Sequence, residues 1–235
     1  MKKIYIILLT TIFLSVFTQN TFAQFIVAQD TIRGRVDFCL RPGDFNNSIA
    51  VPNDSVFYML PPDKEIDPWR YVSLYTPSRS IKRGYIHGAH LMRVDDYDIV
   101  EVERLSSHGS ISFKNEDVRV QITTANISDK DSFIKHLDNG EYSVNGRIAK
   151  GVTRWTSPKV RYQSISVSIK GKHIYFPKKV YEYFLNPDIE NMVVYYNPNK
   201  ETVYINTNNG EPYAQYNVLW VVSPKGVVNP YVLDK

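Results

Sequence analysis

A chain of 235 residues with 28 basic and 24 acidic side chains carries a formal charge of +4, too weak a field to argue for nucleic acid or an anionic lipid surface as partner. A single cysteine excludes an internal disulfide. Stability must therefore come from apolar burial, and 13% aromatic residues supply enough surface for one or two modest cores.

The chain opens on Lys2 and Lys3, followed by an apolar run over residues 4–17 and then Thr21-Phe22-Ala23 before Gln24. A short positive start, a run below the roughly 18 residues that span a bilayer, and small residues at the third and first positions before a cut form the pattern of a cleaved export signal. The expectation is a signal peptide over residues 1–23, cleaved near Ala23. The product would be secreted or periplasmic and would not span the membrane. Its removal takes two lysines, leaving 26 basic against 24 acidic side chains. Lys170, Lys172, Lys178 and Lys179 cluster in sequence, but lysines at strand and turn edges commonly block edge pairing, so no nucleic-acid partner is expected.

Residues 24–30 read as a flexible leader. Residues 32–40 alternate apolar and polar side chains, the period of a half-buried strand, until Arg41-Pro42-Gly43-Asp44 breaks it. Cys39, between Phe38 and Leu40, reads as a small buried apolar residue rather than a reactive thiol. Residues 56–60 form a short apolar strand stopped by Pro61-Pro62. The organising hairpin follows, with strands near residues 71–75 and 82–87, and residues 90–94 would close a small barrel.

Trp69-Arg70-Tyr71-Val72, followed by Arg83-Gly84-Tyr85-Ile86-His87-Gly88-Ala89-His90-Leu91, resembles the bacterial SH3-like domain. In that family a Trp-led strand pairs with a strand opening on Gly and an aromatic, and a leucine follows. The resemblance covers about residues 31–94. It implies an SH3-like small barrel within residues 24–104 that does no chemistry and docks cell-wall peptides, glycans or a neighbouring domain. Phe38-Cys39-Leu40-Arg41 departs from the family's usual opening strand, and the loop after it is long. Trp69 and Tyr85 are expected to fill the barrel core, while Tyr71 and Tyr75 offer amphipathic rings for contact.

Residues 95–103 are acidic but lack the spacing of a calcium loop; Val100 and Val102 alternating with Glu101 and Glu103 read as a strand with a wet face. Ser106-Ser107-His108-Gly109-Ser110 marks the junction with a second unit over residues 105–235. There, residues 118–123 alternate as a strand, and residues 129–137 suggest a short helix capped by Ser128 or Asp129. Asn145-Gly146 sits between extended residues as a hairpin turn. Residues 162–169 show the clearest period of two, and Gly171 turns them into residues 174–176. Residues 178–185 give one or two helical turns. Strands over residues 192–196, 202–205 and 213–222 complete a β-rich sandwich or roll with one or two short helices. The order of features from about Asn145 to Val222 also resembles a segment of uncharacterised secreted bacterial proteins, which lends no chemistry.

A cysteine peptidase would need its thiol in the catalytic module, and Cys39 lies in the SH3-like segment. Serine-hydrolase motifs are missing from the sequence. His87 and His90, with Asp95 or Asp96, are too few and too scattered in type for a zinc site, so no metal or cofactor is expected. The reading is a non-catalytic envelope protein that binds peptidoglycan, a glycan or another envelope protein through Tyr71 and Tyr75 on the barrel and Tyr213 or Tyr216 on the second unit. One alternative is a cell-wall glycan-processing hydrolase using a carboxylate pair drawn from Glu182, Glu190 and Glu211. The other is a dedicated inhibitor or partner of one envelope protein.

Overall fold

The structure, a computed structural model, describes residues 25–61, 66–75 and 81–234; the expected signal peptide lies outside them. They are mostly β, and their helical content is 3₁₀ turns of three residues each. The first half contributes β1 (Phe25–Ala28), β2 (Arg35–Phe38), β3 (Ile49–Pro52), β4 (Val56–Met59), β5 (Trp69–Tyr75), β6 (Ile81–His87) and β7 (Leu91–Arg93). Five of these make an antiparallel sheet in the order β6-β5-β4-β1-β7, called here the N-terminal sheet. The β2–β3 hairpin lies over one of its faces, and reciprocal hydrogen bonds between Cys39 and Tyr85 (2.9 and 2.7 Å) tie the end of β2 to β6. Cys39 is buried there.

Two expectations change. Within the expected leader, Phe25–Ala28 is an interior strand, paired with β4 on one side and β7 on the other and buried at every position. The segment expected to close a barrel, now β7, adds beyond β1 at the far end from β6, and no closed barrel forms among the described residues.

The second half contributes β8 (Asp98–Ile99), β9 (Val102–Ser106), β10 (Ser110–Lys114), β11 (Val118–Asn126), β12 (Ile134–His136), β13 (Tyr142–Val144), β14 (Arg147–Ile148), β15 (Val160–Ile169), β16 (Lys172–Ile174), β17 (Val193–Asn197), β18 (Thr202–Asn209), β19 (Tyr216–Ser223), β20 (Gly226–Val227) and β21 (Tyr231–Asp234). An outer sheet runs β16-β15-β11-β10-β9, and a central sheet runs β20-β19-β18-β17-β8 with β21 also on β19. The β12-β13-β14 strands form a small third sheet turned at Asn145-Gly146, whose φ angles of 49° and 80° suit the expected tight turn. Ser107-His108-Gly109, where the sequence places the junction, joins β9 to β10, and Asp98–Ile99 already pairs with Tyr195 and Tyr196 of the central sheet.

The helix expected over residues 129–137 is a turn followed by β12. Ser128 N donates to the Asp131 carboxylate, which also takes Arg161 at 2.9–3.0 Å, and Ile134 pairs with Val144. Hairpin pairing with β13, the next strand, satisfies this backbone, so local helix preference loses. Residues 178–185 keep one 3₁₀ turn (Lys178–Val180), after which Tyr181, Phe184 and Leu185 drop into the core.

Stacked sheets create three cores. The largest lies between the outer and central sheets, around Trp220, whose ring meets Tyr162, Phe176 and Phe184 and whose indole N–H donates to the Val180 carbonyl at 3.1 Å. A second lies between the N-terminal sheet and the β2–β3 hairpin: Ile26, Val36, Phe38, Phe57, Val72 and Ile86. The third joins the halves, with Phe25, Val27 and Val56 against Tyr204, Leu219 and Val221. Burying one such side chain is worth about 1.5–3 kcal/mol. The exposed Lys200–Asp54 pair that also crosses this junction (3.3 Å) belongs to a class worth under about 1 kcal/mol, so apolar burial holds the halves together.

Candidate functional site

Alternation along β5 and β6 sends two kinds of side chain to opposite faces. Val72 and Ile86 point into the second core, while Trp69, Tyr71, Tyr85 and His87 share the outer face, whose β1–β4 end packs on the central sheet. Trp69 stands opposite His87 with ring centroids 5.5 Å apart and planes at 80°, and Tyr71 stands opposite Tyr85 at 5.0 Å. Phe45, from the β2–β3 loop, approaches Trp69 to 5.8 Å, and His90 approaches His87 to 5.6 Å. The result is a run of rings, Phe45–Trp69–His87–His90, beside a Tyr71–Tyr85 pair. Phe45 is 58% exposed and Leu40, next to the Cys39–Tyr85 bridge, 60%; Trp69, Tyr71 and Tyr85 are half-buried.

Local sequence builds this face. Gly84 is needed because a Cβ there would come within 2.5 Å of the Cys39 carbonyl and 2.7 Å of the Phe38 ring; its absence lets β2 close against β6. Gly88 opens the 3₁₀ turn Gly88–His90, whose start is capped by Ala89 N donating to His87 Nδ1 at 3.3 Å. Under the far end of the ring run, Asp30 accepts from the backbone N–H groups of Ile32 and Arg33 and from Arg33 Nε, at 2.8–2.9 Å. These bonds, the Arg33 N–H foremost, hold its carboxyl down at about 2. Its second oxygen lies 3.5 Å from His90 Nδ1, so the fixed carboxylate orients the last ring of the run.

Of the sequence-predicted contacts, Tyr71 lies in this face. Tyr75 closes β5 opposite Ile81, and its side chain lies outside the described residues. Tyr213 is 94% exposed on the loop before β19. Tyr216 is withdrawn from the candidates: its ring stacks on Phe184 and its hydroxyl donates to the Leu185 carbonyl at 3.2 Å, leaving no face for a ligand. Trp69 and Tyr85 are corrected the other way, from barrel filling to the outer face. The signal was present in the sequence, since Trp69 and Tyr71 share parity and Val72 and Leu74 share the opposite one. Phe45 carried no local signal, because its neighbour Trp69 is distant in sequence; His87 and His90, three residues apart, read there as metal-ligand candidates and not as contact rings.

The carboxylates weighed for a glycosidase are engaged separately. Glu182 accepts from the Asn145 amide at 3.0 Å, Glu211 from the Asn186 amide at 3.3 Å, and Glu190 is exposed. Among the described residues no three His, Cys, Asp or Glu side chains converge as a metal-ligand set, and no helix is long and apolar enough to cross a membrane. The chain matches no protein-family model, no curated protein and no solved structure.

Proposed function

We infer that this is an exported, non-catalytic binding protein whose N-terminal half is an SH3-like unit that docks cell-wall material through the ring face of β5 and β6. The observation that carries the reading is the ring run itself: six aromatic and imidazole rings, from Phe45, Trp69, Tyr71, Tyr85, His87 and His90, at the β5–β6 end of a sheet face whose β1–β4 end packs on the central sheet. Rings of this kind bring large contact area at low entropic cost, and their truncation at interfaces costs about 2 kcal/mol or more. The pairing of a Trp-led strand with a Gly84-Tyr85-Ile86 strand, Val72 opposite Gly84, supports the SH3-like reading. So does Leu91, which follows β6 after the turn Gly88–His90.

Peptidoglycan is the favoured target because its glycan rings and peptide stems present both apolar faces and hydrogen-bonding groups to such a surface. Incubating the protein with purified sacculi and sedimenting them tests this: retention is expected, and Trp69→Ala should lower it at least tenfold. A protein left wholly in the supernatant, with one envelope protein co-purifying, would replace wall binding by the dedicated-partner alternative.

A further inference from the structure

A second surface lies on the other half of the molecule, independent of the ring face. The loops before β13 and after β14 enclose a cleft of about 450 Å³, inside the roughly 300–1,000 Å³ range of small-molecule sites. Its apolar lining is Tyr142, Ile148, Ala149 and Val152, and its polar lining is Asn139, Glu141 and Arg154. Tyr142 is steadied from outside by the His136 ring at 4.7 Å.

The two charges are the informative feature. Glu141 is positioned rather than loose: the Asn139 amide donates to its carboxylate at 2.7 Å, its own N–H donates to Asn139 Oδ1 at 3.0 Å, and its carbonyl accepts from Leu137 N at 2.8 Å. Arg154 is seated from the other side. Its stem packs on Gly140, where a Cβ would come within 3.1 Å of Arg154 Cβ, and its guanidinium lies over the Trp155 ring at 4.8 Å. Yet among the described residues neither Glu141 nor Arg154 joins an ion pair, with each other or with anything else. Opposite charges that line one cleft without meeting leave room for a ligand that carries both signs. A carboxylate presented to Arg154 can be held by two parallel hydrogen bonds, and an ammonium presented to Glu141 by charge-assisted ones.

We propose that this cleft binds a small zwitterion of amino-acid or dipeptide size, with its carboxylate on Arg154, its ammonium on Glu141 and its side chain against Tyr142, Ile148 and Val152. The volume excludes a folded partner, and the apolar strip favours an aliphatic side chain over a charged one.

The test is calorimetric titration of the full protein with leucine, N-acetyl-leucine and leucinamide, followed by amide chemical shifts of residues 139–154. Leucine should bind in the millimolar range or tighter and shift those amides. N-acetyl-leucine, lacking the ammonium, and leucinamide, lacking the carboxylate, should each bind at least tenfold more weakly. Arg154→Gln should abolish the advantage of leucine over leucinamide, and Glu141→Gln its advantage over N-acetyl-leucine. Both side chains are exposed, so the variants remain folded, which an unchanged urea midpoint verifies. Equal binding of all three compounds, shifts confined to residues outside the cleft, or no heat and no shift up to about 10 mM leucine would each overturn the proposal.

Discussion

The N-terminal sheet and the outer sheet each have five antiparallel strands; the outer sheet turns one face to water, while the N-terminal sheet leaves open only the β5–β6 end of the face that packs on the central sheet through Phe25, Val27 and Val56, and the two open surfaces are furnished differently. On the outer sheet the solvated positions are Arg119 opposite Ser168, Gln121 opposite Ser166 and Thr123 opposite Ser164, the last pair sharing a 2.7 Å hydroxyl hydrogen bond. Small polar and charged side chains keep a sheet face wet at no cost in exposed apolar area. On the N-terminal sheet the corresponding positions are Trp69 opposite His87 and Tyr71 opposite Tyr85. Exposed apolar area of this kind is disfavoured unless something covers it. One fold thus contains both a face built for water and a face built for contact.

Tryptophan substitutions should separate those roles most sharply. Trp220→Ala, in the core between the outer and central sheets, should cost about 3–5 kcal/mol in urea denaturation. Trp69→Ala loses ring contacts worth about 0.5–1.5 kcal/mol and should leave the fold intact. Equal losses would mean that Trp69 is a core residue after all. Gly84→Ala is next, at about 1–3 kcal/mol, because the added methyl meets the Cys39 carbonyl and the Phe38 ring; an unchanged midpoint would show that β2 does not close on β6 as described.

Acid titration probes the support beneath the ring run. Asp30 is held at about 2 in the folded chain against about 3.9 for a free aspartate. Its contribution is therefore fully present above about pH 4 and is lost as pH falls toward 2. Wild-type stability should drop across that window, and Asp30→Asn should be less stable at neutral pH and flatter below pH 4. A variant that tracks the wild type at every pH would remove the tether. The smallest effect belongs to the exposed Lys200–Asp54 pair: Lys200→Ala should shift stability by less than about 1 kcal/mol, leaving the junction to Phe25, Val27, Tyr204 and Leu219.

What the sequence reveals follows from the same layering. The outer-sheet strands β11 and β15 alternate because one face is wet, and their period of two is plain in Val118-Arg119-Val120-Gln121-Ile122. β1 sits between two cores, with Ile26 and Ala28 facing one and Phe25 and Val27 the other, so Phe25-Ile26-Val27-Ala28 has no alternation and reads as the tail of the preceding apolar run. At the candidate face, local pattern gives parity but not polarity. Trp69 and Tyr71 were legible as one set and Val72 and Leu74 as another, and which set goes inside depends on Phe38 and Val36, some thirty residues away. Tyr213 and Tyr216 differ for a similar reason: three residues apart, one lies in a loop and the other opens β19 beneath Phe184.

The contrast between the two open surfaces is tested most directly by sedimentation with sacculi of two double variants. Trp69→Ser with Tyr85→Ser removes the rings, and Gln121→Ala with Ser166→Ala alters the wet face of the outer sheet. The first should lose at least tenfold in bound fraction while the second binds like the wild type. Equal retention of both would contradict the assignment of the ring face as the binding surface.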